Sequence, residues 1–533
     1  MKNLILLFGV SFLSLTSLSA QLQPGVTTAG GNAIGEAFLI NDIISLKKHG
    51  FLVIQSIVLA EHDLIELQIF NLKRTLTNIQ SIKIGHDKGV LNIQGFTEFN
   101  NHLILLLSLY QETTRKNELY LYQYSLPDLK LTKKVKIEET YNPLNLNIPF
   151  FFTLSPDETK LLLSSWSYAI PKDFAQLYNK VFNKDLLVIK EQTYAFPYEN
   201  RELFIDKNLI DNAGNSYLIG KKNPATTEYN YESLQQLRGK PFILAFFTDK
   251  KDPNLYEIDI KKHTFPLLQF KIDAQQDLIG IGFYKKGAKK NFTGTSVFKL
   301  SPTKKELKMN NVEIDKTDFV NALGEIHPTF KASQTTFGQA SIIDVIAKEK
   351  AYFLIGERIK LNVETTMPVN YMNSFNLNAA YERNRNFQYD VNHSLLDMFV
   401  IKMDLKGNML WMKRIPKQQA IDKENAPYFS FSIIERERDL LLFYNDHPDN
   451  FKLEHKQKLK STDIRSAVPM LAKVSCSSGK VKKRQLSSLF GKNTLIRPYF
   501  CKKLDDDKVF MYGQKKKRKL ETYRMKIANL GGS

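Results

Sequence analysis

The sequence contains little cysteine, with Cys476 and Cys501 the only two among 533 residues. So low a count excludes a disulfide-dense scaffold and a zinc site built from cysteines. In an oxidising compartment the two thiols could close one disulfide bridge, which would restrict the unfolded chain. The alternative is two free, buried thiols. Their positions in successive predicted strands leave both possibilities open.

The common motifs of enzymatic chemistry are also missing. The sequence has no G-x-S-x-G turn, no G-x-x-x-x-G-K-[ST] loop, no G-x-G-x-x-G loop and no H-E-x-x-H pair. The segment 446–449 (Asp-His-Pro-Asp) comes nearest to a metal cluster, but a proline-containing hairpin turn explains the same residues. The acidic run 505–507 is likewise interpreted as a turn. We therefore predict no catalytic residue, no metal and no cofactor, and we favour a protein that is not an enzyme.

The first twenty residues differ from the rest of the chain. Lys2 is followed by a short apolar stretch over 4–18, which ends at Ser19 and Ala20. This pattern is typical of a secretory signal peptide, and the apolar stretch is short for a bilayer span. We predict a signal peptide over 1–20 and an exported mature chain over 21–533, in the periplasm, at the cell surface or outside the cell. No later run of about 20 apolar residues predicts a transmembrane span.

The formal net charge is +20. A basic exported protein suggests anionic neighbours such as acidic polysaccharide, lipid head groups or nucleic acid. The alternative is solvated lysines on strand edges and turns, which also discourage aggregation, and the even spread of lysines favours it. The densest cluster, 515–519, falls where a hairpin turn is expected. Nucleic acid is therefore disfavoured as a partner.

Short runs rich in Leu, Ile, Val, Phe and Tyr alternate with polar turns along the whole chain. The run 102–110 is too continuous for a half-exposed strand and suits a strand buried on both faces. A similar order of strands recurs in units near 51–85, 91–138, 149–192, 203–271, 277–315, 336–415, 427–487 and 497–528. We predict an all-β fold, a single β-propeller of seven or eight blades, with the strand near 37–46 completing one unit. Both chain ends would pair in one blade. An open solenoid and two smaller propellers are the alternatives.

Three turns in phase with these units resemble turns of known propeller repeats. Ser155-Pro156-Asp157, between apolar strands, resembles the F-S-P-D-G hairpin of WD40-like and TolB-like propellers, although Glu158 stands where that family has glycine. Asp211 to Asn215 resembles the D-x-x-G-N hairpin of secreted propeller repeats. Asp404 to Asn408 is similar to the D-x-x-G turn of tryptophan-containing blades. The resemblance implies a secreted propeller and no particular activity.

Three stretches interrupt the pattern, near 166–185, 223–240 and 362–392. Apolar residues at helical spacing predict a short amphipathic helix within 171–185 and another around 231–237. The third stretch is polar and aromatic, and long insertions in a propeller emerge on its faces. We predict that its aromatic side chains bind a partner: Tyr371, Phe375, Tyr381, Phe387 and Tyr389.

These observations favour an exported, non-enzymatic propeller that acts as a scaffold. Its partner would be another envelope or secreted protein, or an anionic polysaccharide. The alternative is a carbohydrate-binding or carbohydrate-active propeller of the glycosidase or lyase type. That alternative requires two or three carboxylates close together in the central funnel.

Overall fold

The computed structural model describes part of the chain between residues 39 and 529. The described part omits 47–48, 59–61, 86–89, 127, 142–149, 167–173, 200–201, 223–239, 259–262, 288–292, 315–339, 349, 362–392, 422–425, 452–458, 491–492, 506–507 and 516–521. The predicted signal peptide over 1–20 and the predicted helix around 231–237 lie outside it. No helix among the described residues is long and apolar enough to cross a membrane.

The described strands form eight antiparallel sheets, each made from one continuous stretch of chain. The first two sheets contain β1 (Leu39–Ser45), β2 (Phe51–Val58), β3 (His62–Phe70), β4 (Leu76–Gly85), then β5 (Val90–Phe99), β6 (His102–Gln111), β7 (Lys116–Ser125), β8 (Leu131–Tyr141). The third and fourth contain β9 (Phe150–Leu154), β10 (Lys160–Trp166), β11 (Phe174–Asn183), β12 (Val188–Glu199), then β13 (Leu203–Ile210), β14 (Ser216–Lys222), β15 (Lys240–Phe246), β16 (Asn254–Glu257).

The fifth and sixth sheets contain β17 (His263–Ile272), β18 (Leu278–Lys286), β19 (Gly294–Ser301), β20 (Glu306–Glu313), then β21 (Ala340–Lys348), β22 (Ala351–Leu361), β23 (His393–Met403), β24 (Met409–Ile415), β25 (Gln419–Ile421). The seventh and eighth contain β26 (Phe431–Glu435), β27 (Asp439–Asp446), β28 (Val468–Ser475), β29 (Val481–Gln485), then β30 (Thr494–Ile496), β31 (Lys502–Lys503), β32 (Lys508–Lys515), β33 (Thr522–Asn529). One short helix, α1 (Ser487–Phe490), and 3-10 turns at Ala426–Tyr428, Pro448–Phe451 and Pro498–Phe500 join them.

The eight sheets are the blades of a β-propeller, because each packs face to face on the next and the eighth packs on the first. Phe510 and Tyr512 of the eighth blade share a hydrophobic cluster with Phe51 and Val53 of the first. The rings of Phe51 and Phe510 lie 4.3 Å apart, centroid to centroid. The ring therefore closes through side-chain packing, and the eight-bladed all-β fold is confirmed.

The continuous apolar run of β6 shows why the sequence folds in this way. Leu103, Leu105 and Leu107 pack toward the first blade, whereas Ile104 and Leu106 pack toward the third. Successive side chains of a strand point to opposite faces. A second strand sandwiched between two blades is therefore apolar at most positions, as the sequence predicted, and a buried polar residue such as Ser108 has a hydrogen-bond partner.

Lysines join several neighbouring blades by donating to main-chain carbonyl oxygens. The Nζ atoms of Lys190 and Lys207 donate to the carbonyls of Phe247 (2.8 Å) and Phe270 (2.9 Å), each in the following blade. Further donors of this kind are Lys133 to Leu186, Lys160 to Asn212, Lys348 to Arg436 and Glu437, and Lys402 to Cys476. Part of the basic excess is therefore structural, in contacts between blades as well as on solvated edges.

Several predictions need correction. The helix predicted within 171–185 is wrong, since β11 occupies Phe174–Asn183. Leu177, Asn179 and Val181 are buried at alternate positions, and the polar Asn179 concealed that alternation. The fourth unit ends at Glu257, because β17 is the inner strand of the fifth blade.

The expected sharing of one blade by both chain ends is not found among the described strands. β1 pairs with β2 and is the innermost strand of the first blade. The eighth blade is built from β30 to β33 alone, with β30 and β31 both pairing on one edge of β32. Closure therefore involves no described main-chain hydrogen bond between the two terminal blades.

Candidate binding face and central channel

The two faces of the ring carry different kinds of connection. All inner strands run in the same direction, because the strands within each blade are antiparallel. The links β1–β2 and β3–β4, with their counterparts in other blades, therefore lie on one face, which we call the turn face. The links β2–β3 and β4–β5, with their counterparts, lie on the other, the long-connection face. The strand ends that flank the longest segments between strands lie on this second face; these segments are 223–239, 314–339, 362–392 and 447–467.

The turns that resemble known propeller repeats lie on the turn face and are structural. The carboxylate of Asp211 is fully buried and accepts hydrogen bonds from the Asn215 N–H (2.8 Å), the Asn215 side-chain amide (2.7 Å) and the Tyr217 hydroxyl (3.0 Å). Gly214 has a φ of +93°, which glycine adopts without strain. Glu158, at the glycine position of the related turn, has a φ of +56°.

Four inner strands carry a β-bulge at the same register position. In β5 the register shifts between Ile93 and Gly95, and in β13 it shifts between Ile205 and Lys207. β1 and β21 shift at the corresponding place. A bulge inserts one extra residue and redirects its side chain. The extra residue is Gln94 in β5, where its amide donates to the Ser108 hydroxyl at 2.6 Å.

The extra residue in the fourth blade is Asp206, and it meets a different environment. Lys221 of β14 occupies the register position that Ser108 has in β6 and Glu357 has in β22. The Lys221 side chain is 7% exposed. Burial lowers the pKa of Lys221 and raises the pKa of the Asp206 carboxyl, while the charge of each opposes the effect on the other. Burial thus favours the uncharged form of both groups.

The corresponding position in the sixth blade holds a complete ion pair. The Glu357 carboxylate accepts from Lys417 Nζ at 2.8 Å and from the Ser430 hydroxyl at 2.6 Å. Lys417 also donates to the side-chain oxygen of Gln419 at 2.7 Å. Because all these polar atoms have partners, the pair satisfies the condition under which a buried charge is tolerated.

The inner strands of blades four to six carry further charges along the channel wall. Lys207 of β13 lies next to β17 through its hydrogen bond to Phe270. Burial lowers the pKa of Lys207, and the charges of Asp344 on β21 and Asp206 oppose that effect, whereas Lys271 adds to it. The carboxyl groups of Asp344 and Asp206 thus each have Lys207 as a charged neighbour.

The inner-strand carboxyl groups of Asp206 and Asp42 each have a lysine as charged neighbour. The charged groups that act on Asp206 are Lys221 and Lys207, and the charged group that acts on Asp42 of β1 is Lys502. Lys502 Nζ lies 3.3 Å from the Asp42 carboxylate, at the contact between the first and eighth blades. Asp42 therefore belongs to ring closure.

The aromatic residues predicted to bind a partner lie outside the described residues: Tyr371, Phe375, Tyr381, Phe387 and Tyr389. Cys476 and Cys501 are both free and buried, and they lie in different hydrophobic clusters. Burial raises the pKa of both thiols, to about 12 for Cys501.

The acidic segments considered as metal sites have protein partners where they are described. Asp446 is buried and accepts from the Thr462 hydroxyl at 2.8 Å and the Asn450 amide at 3.0 Å. Asp449 pairs with Lys460 at 2.5 Å. No group of three metal-ligating side chains occurs among the described residues.

Comparison with known proteins adds a likeness in fold. The sequence matches no protein-family model and no curated protein. The polysaccharide lyase Uly1 aligns over 82% of this chain and 90% of its own, with 10% identity and a TM-score of 0.39. The β-propeller domain of the Trilobed protease from Pyrococcus furiosus aligns over 85% and 96%, with 10% identity and a TM-score of 0.35. Prolyl oligopeptidase B from Galerina marginata aligns over 94% and 57%, with 9% identity and a TM-score of 0.39. Likenesses this low carry no argument about activity.

Sequence reasoning missed the two ionisable residues Asp206 and Lys221 of the fourth blade. The two residues lie fifteen positions apart, and neither forms a motif. A weak signal exists, since Lys221 follows an apolar strand directly while Asp206 and Lys207 interrupt another. The bulge that places Asp206 shifts the alternation of side chains, so strand periodicity alone misplaces it.

Proposed function

We propose that the protein is an exported, non-enzymatic β-propeller that binds another secreted or envelope protein through its long-connection face. The observation that carries this proposal is the difference between the two faces, because every long connection leaves the same end of the ring. A rigid ring that presents its variable segments on one side is a common arrangement for binding. The predicted signal peptide supports export.

The proposal assigns the main contact to the segment 362–392, which contains the predicted aromatic residues. This segment joins β22 to β23, which pair up to Leu361 and His393. It therefore leaves the ring from a rigid hairpin. Tyrosine and phenylalanine supply large contact areas at interfaces with little loss of side-chain entropy.

The test is to replace 362–392 with Asn-Gly, which closes a two-residue hairpin between paired strand ends. The mature protein and the variant are each used to capture partners from the native envelope, followed by mass spectrometry. We expect a stoichiometric partner that the variant loses, and whose binding is reproduced with the purified partner.

The matched control replaces 223–239 with Asn-Gly between Lys222 and Lys240, which also pair directly. This variant shortens another connection on the same face and should keep the partner. If the mature protein is recovered alone, or if both variants retain the partner equally, the proposal is wrong. Thermal unfolding of both variants separates loss of binding from loss of the fold.

A further inference from the structure

The positive charge of the chain is concentrated near its end, in the last two blades. The segment 468–529 contains seventeen lysines and arginines but four acidic residues, so it carries +13 of the net charge of +20. It comprises β28 and β29 of the seventh blade and the strands of the eighth blade. Lysines occur along the whole chain, but elsewhere acidic residues balance them more closely. The charge excess therefore belongs to one region of the ring.

Two basic side chains of β29 lie on the side of the seventh blade that meets the eighth. Arg484 pairs with Leu471 of β28, and Leu471 belongs to the hydrophobic cluster that joins these two blades. Directly opposite residues of paired strands share one side of a sheet. Arg484 therefore lies on that side, as does Lys482 two positions earlier. Both side chains are exposed.

The outermost described strand of the eighth blade, β33, has basic positions on the side that meets the seventh. Positions 524 and 526 of β33 pair with Gly513 and Met511 of β32, and Met511 belongs to the same hydrophobic cluster as Leu471. By the same register rule, positions 524 and 526 belong to the side that meets the seventh blade. They are an arginine and a lysine. We call four positions the outer seam: 482, 484, 524 and 526.

The strands around the outer seam contain no acidic residue. The four acids of the segment 468–529 lie in links, at 505–507 and at 521, and none is in β28, β29 or β33. The short helix α1 contacts both β28 and β33, and its four residues are uncharged. The side chains of Lys482 and Arg484 form no hydrogen bond and no ion pair with any residue that the structure describes.

Acids on neighbouring strands already have lysine partners of their own. Asp439 of β27 pairs with Lys473 at 3.2 Å, on the same side of the seventh blade as Lys482. Asp505, in the link before β32, pairs with Lys508 at 2.8 Å. These ion pairs leave the outer seam with an excess of positive charge.

The contact between the second and third blades is different. There Lys180 of β11 lies 3.0 Å from the carboxylate of Glu138 in the preceding blade and 3.3 Å from that of Glu191 in its own. Cations at that contact are thus neutralised within the protein. Basic groups of one sign that line both sides of a blade contact attract anions from solution.

The spacing of the cations favours a ligand with repeated charges. One exposed ion pair contributes little free energy, so a single small anion would bind weakly. Lys482 and Arg484 are two positions apart on one strand, which separates them by about 6.7 Å. A polymer with anionic groups along its length can contact several such cations at once, and the contacts reinforce one another.

The side chains of this region favour a polysaccharide over other polyanions. Among the described residues of the seventh and eighth blades, no large apolar side chain is exposed. Proteins that lie on bilayers use exposed apolar side chains, and proteins that bind single-stranded nucleic acid stack its bases on aromatic rings. An acidic polysaccharide requires only charge and hydrogen bonding.

We propose that the outer seam binds an acidic polysaccharide, a chain with carboxylate or sulfate groups repeated along its length. This surface is separate from the segment 362–392, so a failure of either proposal leaves the other standing.

The test is fluorescence anisotropy of labelled polygalacturonate and labelled dextran sulfate, titrated with the mature protein at about 50 mM and about 200 mM sodium chloride. We expect saturable binding that weakens steeply with salt, because each contact releases counterions from the polymer. Tighter binding of polygalacturonate would identify carboxylate groups as the ligand, and tighter binding of dextran sulfate would identify sulfate groups. Vesicles of phosphatidylcholine and phosphatidylglycerol, and single-stranded DNA, should compete poorly.

The double variant Lys482→Glu/Arg484→Glu tests the assignment to the seam. It should weaken binding at least about tenfold, because two attractive contacts become repulsive. It should also lower the slope of log Kd against log salt by about one to two. Both side chains are exposed, so the variant should remain folded, and thermal unfolding checks this.

The matched control is Lys130→Glu/Lys251→Glu. It changes the net charge by the same amount at exposed positions of the turn face, in the second and fourth blades. Its affinity for the polymer should stay within about threefold of that of the unaltered protein, because these sites lie far from the seam and salt screens their charge.

Any of three results would overturn the proposal. One is that neither polymer binds at about 50 mM salt, where charge contacts are strongest. Another is that both double variants weaken binding equally, which would assign binding to net charge rather than to the seam. The last is tighter binding of the vesicles or of DNA than of either polysaccharide, which would identify a different class of partner.

Discussion

At the scale of single residues, one turn motif has different roles according to its burial. Asp211 and Asp404 begin turns of the same pattern, and both accept hydrogen bonds from the asparagine four positions later. Asp211 is fully buried and also accepts from Tyr217. Asp404 lies partly exposed at the turn between β23 and β24. Water can replace the partners of Asp404 but not those of Asp211.

Replacing each aspartate with alanine should therefore have unequal effects. Asp211→Ala leaves the Tyr217 hydroxyl and the Asn215 amide buried without an acceptor, so the free energy of unfolding should fall by about 3 kcal/mol. Asp404→Ala should lower it by about 1 kcal/mol. Urea denaturation followed by circular dichroism measures both. Equal losses would contradict the role assigned to burial.

Of the buried polar residues in the fourth blade, the sequence predicted those in the turn but not those that depend on strand pairing. Asp211, Gly214 and Asn215 were found because a turn needs those residue types at fixed spacing. The Asp206–Lys221 pair was not found, because it depends on a bulge and on the pairing of two strands. The sequence predicted that Glu158 takes the glycine position of its turn. Its φ of +56° is imposed by the surrounding hairpin, because a glutamate residue by itself disfavours positive φ.

At the scale of strands, burial on both faces made the second strands predictable from their apolar runs. The same kind of burial explains the main error, the helix predicted within 171–185. β6 and β11 are both packed on two faces, but the buried run 103–107 of β6 is wholly apolar, whereas β11 has Asn179 buried between Leu177 and Val181. Apolar residues four positions apart fit a helix and a strand equally. The polar residue between Leu177 and Val181 therefore made β11 read as a helix.

The lysine hydrogen bonds that link blades should contribute measurably to the free energy of unfolding. Lys402 of β23 lies over the ring of Phe353, 5.7 Å from its centroid, and donates to the carbonyl of Cys476 at 3.0 Å. Lys402→Met keeps the apolar stem but loses this hydrogen bond. We expect the free energy of unfolding to fall by about 1.5–3 kcal/mol.

Lys406→Met is the matched control for this prediction, because Lys406 is exposed in the turn that follows the same strand. Its effect should lie within about 0.5 kcal/mol of zero. Both are measured by urea denaturation at low and high salt. If the two variants behave alike, the contact between Lys402 and the seventh blade contributes nothing to stability.

At the scale of the whole molecule, the contact between the first and eighth blades closes the ring. It consists of the cluster around Phe51 and Phe510 and of the pair formed by Asp42 and Lys502. Interfaces elsewhere in the ring join blades that the chain also connects directly. Among the described residues the closing interface has no such connection and is held by side-chain contacts.

Phe51→Ala should therefore open the ring before other parts unfold. The loss of a buried phenylalanine costs about 3–5 kcal/mol. Hydrogen exchange measured by mass spectrometry should show reduced protection first in 39–85 and 494–529. The control Phe353→Ala removes a buried phenylalanine of the sixth blade, and it should leave the protection of the two terminal blades unchanged. Uniform loss of protection in Phe51→Ala would contradict this description of closure.

Because each blade is one uninterrupted stretch of chain, the ring has a simple route to changes in size. A duplication of the coding sequence for a single blade would insert a whole sheet, and a deletion would remove one, without dividing any sheet between distant exons or segments. The neighbours of the altered blade would need to adjust only the angle at which their faces meet. The number of blades in the ring therefore depends on how tightly neighbouring faces pack. The same blades could form a ring of seven or nine.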